Sequence, residues 1–105
     1  MSTGANAQNG IVLSHRGNVL SVRGAVDLGN VSLLLGALKQ LRDAHPVVVL
    51  DASEITYMDS TGFGVLLRVC RELRHRGGRL VLRRPAPHIR RMLEVTEMLH
   101  LFTFE

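Results

Sequence analysis

The most constraining feature of the sequence is an apolar run that leads through a polar turn into an amphipathic segment. Residues 47–50 read VVVL, a continuous apolar run that is typical of a strand covered on both faces in a parallel sheet. Residues 60–76 then carry apolar side chains at helical spacing, with arginine and histidine on the opposite side. A buried strand, a turn and a helix in this order predict an α/β layer.

Further strands are predicted on both sides of this unit. Residues 10–16 and 18–23 indicate two strands, because Gly17 and Asn18 form a typical hairpin turn between them. Residues 79–83 read RLVLR, a short apolar run between two arginines, and predict the next strand. Residues 100–104 predict a last short strand or an extended tail.

Two further helices complete the predicted fold. Residues 28–44 have apolar side chains at helical spacing and end before Pro46. Residues 85–97 predict a short third helix, whose expected core-facing side chains are Ile89, Met92, Leu93 and Thr96. The fold class is therefore α/β, with one mixed sheet of four to five strands packed with about three helices, joined by right-handed crossovers.

The length and composition indicate one small globular domain. We predict a domain at residues 10–105, preceded by a flexible N-terminal segment at residues 1–9, which is small and polar and does not resemble a signal peptide. No apolar run approaches the roughly 20 residues of a membrane span, so no membrane association is expected. The lone cysteine, Cys70, excludes an internal disulfide framework and favours a cytoplasmic protein; its spacing predicts a core position.

Basic residues are concentrated in the second half of the chain. Between positions 60 and 91 there are nine arginines and one acidic residue, Glu72. Such a surface could bind nucleic acid. However, the chain has no nucleic-acid motif and only four aromatic residues, none placed as a stacking platform. A solvated surface, or one that attracts an acidic protein partner, is favoured, and direct binding to nucleic acid is not expected.

The residues around position 60 suit the first turn of a helix. Asp59 is a favourable N-cap residue, so Ser60 and Thr61 are expected in the first turn, exposed to solvent and to a modifying enzyme. Gly62 and Gly64 have no side-chain bulk, so the backbone of another protein could approach there. Each glycine costs about 1 kcal/mol of helix propensity relative to alanine, which some local requirement should offset.

The sequence favours neither catalysis nor a cofactor. The histidines at positions 15, 45, 75, 88 and 100 lack metal-ligand spacing with acids or with the cysteine, so no metal site is predicted. Gly62 and Gly64 are followed by Leu67, where a dinucleotide fingerprint has glycine or alanine. No G-x-S-x-G motif occurs either. We therefore expect a protein without enzymatic activity.

Residues 51–64, DASEITYMDSTGFG, followed by VLL, resemble the signature of STAS domains, specifically of bacterial anti-sigma factor antagonists. Three further segments fit that family: GAVDLGN at 24–30, GGRLVLRRPAP at 77–87 and IRRMLEVTEML at 89–99. Two residues depart from the family pattern. Ala25 stands where the family often has glutamate, and Glu97 stands where a glycine usually ends the third helix.

The resemblance implies a phosphorylation switch at Ser60, with Thr61 as a secondary acceptor. In that family, the unphosphorylated antagonist binds an anti-sigma factor that is also a serine kinase, and so frees a sigma factor. The phosphorylated antagonist dissociates from the anti-sigma factor, and a metal-dependent serine/threonine phosphatase dephosphorylates it. Asp27 would lie beside the phosphorylation site. The residues expected to face the partner are Asp27, Asp59, Thr61, Gly62, Phe63 and Gly64.

Two alternatives stay open after the sequence analysis. The chain could be a STAS subunit of a different assembly, such as a stress-signalling complex or a lipid-transport ATPase. It could also be a basic nucleic-acid-binding module, in which the arginine-rich half would form the contact surface.

Overall fold

The computed structural model describes residues 3–105, and side chains from residue 9 onward. The elements in chain order are β1 (Thr3–Gln8), β2 (Ile11–Arg16), β3 (Val19–Val26), α1 (Val31–Ala44), β4 (Val47–Met58), α2 (Ser60–His75), β5 (Arg79–Arg83), α3 (Pro87–Val95), a 3₁₀ turn (Leu99–Leu101) and β6 (Thr103–Phe104).

The strands form one mixed sheet whose spatial order is the same as the chain order. β1, β2 and β3 pair antiparallel, whereas β3, β4, β5 and β6 pair parallel. The buried side chains of α1, α2 and α3 belong to one core cluster with those of the strands, so the three helices pack on the same face of the sheet, as right-handed crossovers predict. The predicted α/β class, with a mixed sheet and three helices, is confirmed.

The sheet begins at Thr3 rather than at residue 10. β1 pairs with β2 over its whole length, from Thr3 opposite Arg16 to Gln8 opposite Ile11. Residues 3–8 are therefore an edge strand of the domain, not the flexible segment that the sequence predicted. The same prediction for residues 1 and 2 lies outside the described residues. With β1 included, the described sheet has six strands.

The helices bury the faces that their periodicity predicted, with one exception. α1 buries Leu34, Leu38 and Leu41. α2 buries an apolar stripe that includes the predicted core cysteine, Cys70, whose thiol donates to the carbonyl of Leu101 at 2.9 Å. The exception is α3, which buries Ile89 and Leu93 but leaves two residues predicted to face the core, Met92 and Thr96, exposed.

Two helices end in the same hydrogen-bonded motif with different residues at the left-handed position. After α2, Gly77 has φ +80° and the N–H of Gly78 donates to the carbonyl of Leu73. After α3, the N–H of Met98 donates to the carbonyl of Leu93, and the residue with φ +58° is Glu97. Both are Schellman ends, for which glycine is the favoured residue. The sequence analysis correctly identified Glu97 as the residue that replaces the usual glycine at the end of α3.

We expect Glu97→Gly to stabilise the domain by about 1 kcal/mol, because it removes the steric cost of a side chain in the left-handed region. Urea unfolding followed by circular dichroism measures this effect. Glu94→Gly is the matched control, since the same change inside α3 should destabilise the domain by about 1 kcal/mol. A Glu97→Gly protein less stable than the wild type would contradict this account of the α3 end.

Candidate functional site

Ser60 is the first residue of α2 and is exposed. Its hydroxyl forms no hydrogen bond with any residue that the structure describes. The first turn of α2 contains no acidic residue, and the first N–H groups of a helix give this end a partial positive charge. The position predicted from the sequence for this hydroxyl, in solvent at the start of α2, is the position that the structure gives it.

Asp59 caps α2 and ties it to the loop after β3. One carboxylate oxygen, Oδ1, accepts from the N–H of Thr61 at 2.9 Å and of Gly62 at 3.3 Å, and also from the Thr61 hydroxyl. The other, Oδ2, accepts from the N–H of Leu28 at 3.2 Å. The bond from the Thr61 hydroxyl, with these N–H bonds, holds the pKa of Asp59 below its ordinary value. Asp59 is thus the N-cap that the sequence predicted, and it stays ionised.

The turn that begins at Asp27 lies beside the start of α2. The N–H of Asp59 donates to the carbonyl of Val26 at 3.1 Å, and the next residues, Asp27 and Leu28, continue past the Asp59 carboxylate. The carboxylate of Asp27 itself accepts from the N–H of Gly29 at 2.9 Å, which folds the turn. Leu28 projects into solvent with 76% of its surface exposed, so this turn and Ser60 form one continuous surface.

Asn30 holds this turn from inside the domain. It is fully buried, and its amide nitrogen donates to the carbonyls of Asn9 and Ala25 at 2.7 and 2.8 Å. Its amide oxygen accepts from the N–H of Asp27 at 3.0 Å. The sequence analysis missed Asn30 as a positioning residue. The signal available was a polar amide directly before an apolar helical segment, which by itself indicates only a helix cap.

The other predicted site residues divide between the surface and the interior. Thr61 is half-buried, and its hydroxyl is already bonded to Asp59. Phe63 is half-buried and Gly64 is exposed with open space around it. Gly62 is buried: an added Cβ would lie 2.5 Å from Cγ of Met58 and 3.0 Å from Cγ1 of Val26. The prediction that Gly62 faces a partner is therefore wrong, and internal packing explains the glycine.

An apolar groove runs from Ser60 along α2. It lies between α2 and α3 and has a volume of about 560 Å³. We call it the α2–α3 groove; it is lined by Tyr57, Met58, Asp59, Ser60, Phe63, Gly64, Leu67, Met92, Thr96 and Met98. Two exposed residues that were expected in the core, Met92 in α3 and Thr96 directly after it, form the far wall of the groove. The sequence analysis did not predict this groove.

The arrangement suits modification of Ser60 better than catalysis by it. No general base contacts the Ser60 hydroxyl within the described part of the chain, and the carboxylate of Asp59 is occupied by other donors. Among the described residues, no group of three or more histidine, cysteine, aspartate or glutamate side chains could hold a metal ion. The described helices include none that is both long and apolar enough to span a membrane.

Comparison with known proteins identifies the family. The family model described as "Mlab, STAS domain" matches residues 11–103. The chain belongs to the STAS family. This STAS domain is 33% identical over 85 residues to BtrV of Bordetella bronchiseptica, described as a candidate anti-sigma factor antagonist, covering 80% of this chain and 73% of BtrV. It is also 33% identical over 76 residues to the anti-sigma-B factor antagonist of Listeria monocytogenes, covering 71% of this chain and 67% of that protein.

The fold of this STAS domain is also that of solved structures. The anti-sigma factor antagonist SpoIIAA, in its unphosphorylated form, superposes with a TM-score of 0.69 at 18% identity, covering 99% of this chain and 88% of SpoIIAA. SpoIIAA of Bacillus in its phosphorylated form superposes with a TM-score of 0.67 at 18% identity, covering 99% and 91% of the two chains. These structures share the fold of the STAS domain.

Proposed function

We propose that this STAS domain is a cytoplasmic, non-enzymatic anti-sigma factor antagonist that is switched off by phosphorylation of Ser60. The observation that carries the proposal is the Ser60 hydroxyl, which is exposed, unbonded to described residues and placed at the start of α2 beside the Asp27 turn. The names of the relatives, which are anti-sigma factor antagonists, support the same function.

The proposed partner is an anti-sigma factor that is also a serine kinase. In the switching step, the Ser60 oxygen attacks the γ-phosphorus of ATP bound to the partner. A phosphoserine forms, the bond to the bridging oxygen breaks, ADP leaves, and the hydroxyl proton is released. A metal-dependent serine/threonine phosphatase would hydrolyse the phosphoserine and restore binding. The surface that we assign to the partner contains Asp27, Asp59, Thr61, Phe63 and Gly64, together with the exposed Leu28.

The free energies favour a switch that leaves the domain folded. A phosphate adds about −1.5 to −2 charges, and the start of a helix favours such a charge by about 0.3–1 kcal/mol. At an interface, by contrast, an unpaired phosphate set against like charge costs several kcal/mol. A 100-fold loss of affinity needs only about 2.8 kcal/mol. The interface effect is larger, so phosphorylation should release the partner without unfolding the domain.

The experiment that tests the proposal is phosphorylation by purified anti-sigma factor kinases from the source genome with ATP, followed by mass spectrometry. We expect a single phosphate on Ser60, with little on Thr61, because the Thr61 hydroxyl is engaged by Asp59. Ser60→Ala should abolish the modification and Thr61→Val should not. Transfer to another residue, or efficient modification of Ser60→Ala, would contradict the assignment.

A second candidate function rests on the description of the matching family model, which names Mlab and mentions no sigma factor. The chain would then be a STAS subunit of another assembly, such as a lipid-transport ATPase. Affinity purification of the tagged chain separates the two candidates. Recovery of a transporter ATPase in place of an anti-sigma factor would support the second.

A further inference from the structure

The core of the domain buries only part of the apolar face of α3. Ile89 and Leu93 are buried, but Met92 retains 42% of its surface in solvent and faces the α2–α3 groove. Across the groove, Tyr57 is 55% exposed and Leu67 is half-buried. α1 packs directly on α2, whereas the groove separates α2 from α3. A contiguous exposed apolar surface of this kind is typical of an interaction site.

The polar side chains in the groove leave few hydrogen-bonding groups for a ligand. The carboxylate of Asp59 is occupied by Thr61, Gly62 and Leu28, and the hydroxyl of Thr96 donates to the carbonyl of Met92 at 2.8 Å. The hydroxyls of Ser60 and Tyr57 remain available to hydrogen-bond to a ligand. A small-molecule site normally contains several convergent polar groups that fix orientation. This groove instead offers an apolar surface with one modifiable hydroxyl at its end.

Beyond the residues that line the groove, α2 carries positive charge. Ser60, Leu67, Arg71 and Arg74 lie on one stripe of α2, at intervals of seven, four and three residues. Ser60 and Arg71 are about 16 Å apart along the helix axis, which is about three turns.

Neither of these two arginines is neutralised by an acid within the described part of the chain. Arg71 forms no ion pair there, and Arg74 donates only to the carbonyl of Leu101, at 3.4 Å. By contrast, Arg68 and Arg76 on the other side of α2 pair with Glu72 and Asp43. The uncompensated charge therefore lies on the same stripe of α2, beyond the groove lining and on the side away from Ser60.

We infer that the α2–α3 groove binds an amphipathic helix of the protein partner, about three turns long, whose apolar face fills the groove and whose acidic residues contact Arg71 and Arg74. A helix laid in an apolar groove is a recurrent mode of peptide recognition, and charge complementarity selects and orients the helix. The inference rests on the proposed function, since it assigns the groove to the same partner. It also places one end of that helix beside Ser60, so phosphorylation there would alter the surface that the helix contacts.

Three of the four methionines of the chain line the groove: Met58, Met92 and Met98. Their methyl NMR signals can therefore report binding in the groove. The full chain with ¹³C-labelled methionine methyl groups is titrated with two synthetic 16-residue peptides. Both carry leucine at helical spacing; one has glutamate at its polar positions and the other has lysine. The glutamate peptide should shift the Met92 and Met98 methyl signals and bind at least tenfold more tightly than the lysine peptide.

Charge-reversal variants test the arginine assignment in the same titration. Combining Arg71→Glu with Arg74→Glu should remove the preference for the glutamate peptide. The matched control is Arg79→Glu, which reverses an exposed arginine at the start of β5, outside the groove, and should keep the preference. Equal shifts from both peptides, or none from either, would overturn the inference. Shifts caused by palmitate but by neither peptide would assign the groove to an apolar small molecule and would also overturn it.

Binding of the purified anti-sigma factor separates this inference from the proposed function. Met92→Glu should weaken binding at least 20-fold, whereas Gln40→Glu, the same change of charge on the exposed side of α1, should leave it within twofold. Equal affinities of the wild type and Met92→Glu would overturn the groove assignment and leave the proposed function standing. Binding of the glutamate peptide in the groove, with no anti-sigma factor bound by the chain, would support the groove chemistry and contradict the proposed function.

Discussion

Ser60→Asp is expected to weaken binding of the anti-sigma factor by at least 30-fold while leaving the domain folded. The substitution places a permanent negative charge at the start of α2, on the surface that we assign to the partner and beside the carboxylate of Asp59. At an interface this charge is desolvated and meets like charge; a 30-fold loss corresponds to about 2 kcal/mol. In the free protein the same charge lies in water at a helix N-terminus, where it is tolerated. Isothermal titration calorimetry measures the affinity, and urea unfolding measures the stability.

The control for this prediction is Thr103→Asp, which adds the same charge at an exposed position on β6, outside the surface that we assign to the partner. It should bind the anti-sigma factor within twofold of the wild type. Ser60→Ala should also bind normally, because it removes the hydroxyl without adding charge. An unchanged dissociation constant for Ser60→Asp, or a loss of affinity explained by unfolding, would count against the switch.

Asn30→Leu is expected to destabilise the domain by about 3 kcal/mol, because it leaves three backbone groups without a partner. The carbonyls of Asn9 and Ala25 and the N–H of Asp27 all bond to the buried Asn30 amide. Leucine has a similar size, so a cavity is not the cause of the loss. Urea unfolding followed by circular dichroism gives the free energy of unfolding. Since Asp27 begins the turn beside Ser60, affinity for the anti-sigma factor should fall as well.

The chain offers a matched amide for comparison. Asn18 is half-buried and makes one side-chain bond to the backbone, from its amide nitrogen to the carbonyl of Val47 at 2.9 Å. Asn18→Leu should therefore cost about 1 kcal/mol. If Asn30→Leu and Asn18→Leu lower the free energy of unfolding by the same amount, the three hydrogen bonds of Asn30 do not stabilise the domain as we propose.

The central strand and helix were predictable because their patterns are long and unambiguous. β4 begins with a continuous apolar run, and α2 repeats apolar residues over four turns, so the position of Ser60 between them follows directly. The cap at Asp59 was also predictable, since capping is a local interaction between residues close in the chain.

The missed features depend on contacts between distant parts of the chain. β1 reads TGANAQ, which contains no β-branched residue after Thr3 and no aromatic residue, so only its pairing with β2 makes it a strand. α1 was predicted to start at residue 28 but begins at Val31, because residues 27–30 form the turn held by Asn30. Gly62 looked like a surface residue because the side chains that exclude a Cβ there come from the end of β4, at Met58, and from the distant β3, at Val26.

The short α3 shows why a helical face cannot be assigned from a few residues. Its nine residues include three large apolar positions at helical spacing, Ile89, Met92 and Leu93, and the sequence treated all of them as core. Two suffice to cover the sheet, and the third faces the groove. An apolar residue that binds a partner and one that fills the core produce the same pattern in a sequence.

The most direct test of the account is release of a sigma factor from its complex with the anti-sigma factor, measured by fluorescence anisotropy of the labelled sigma factor. Unphosphorylated chain should release the sigma factor in proportion to its concentration. The same chain phosphorylated on Ser60 should release almost none, and phosphatase treatment should restore the activity. Equal release by the two forms, with Ser60 phosphorylation verified by mass spectrometry, would contradict the claim that this hydroxyl is the switch.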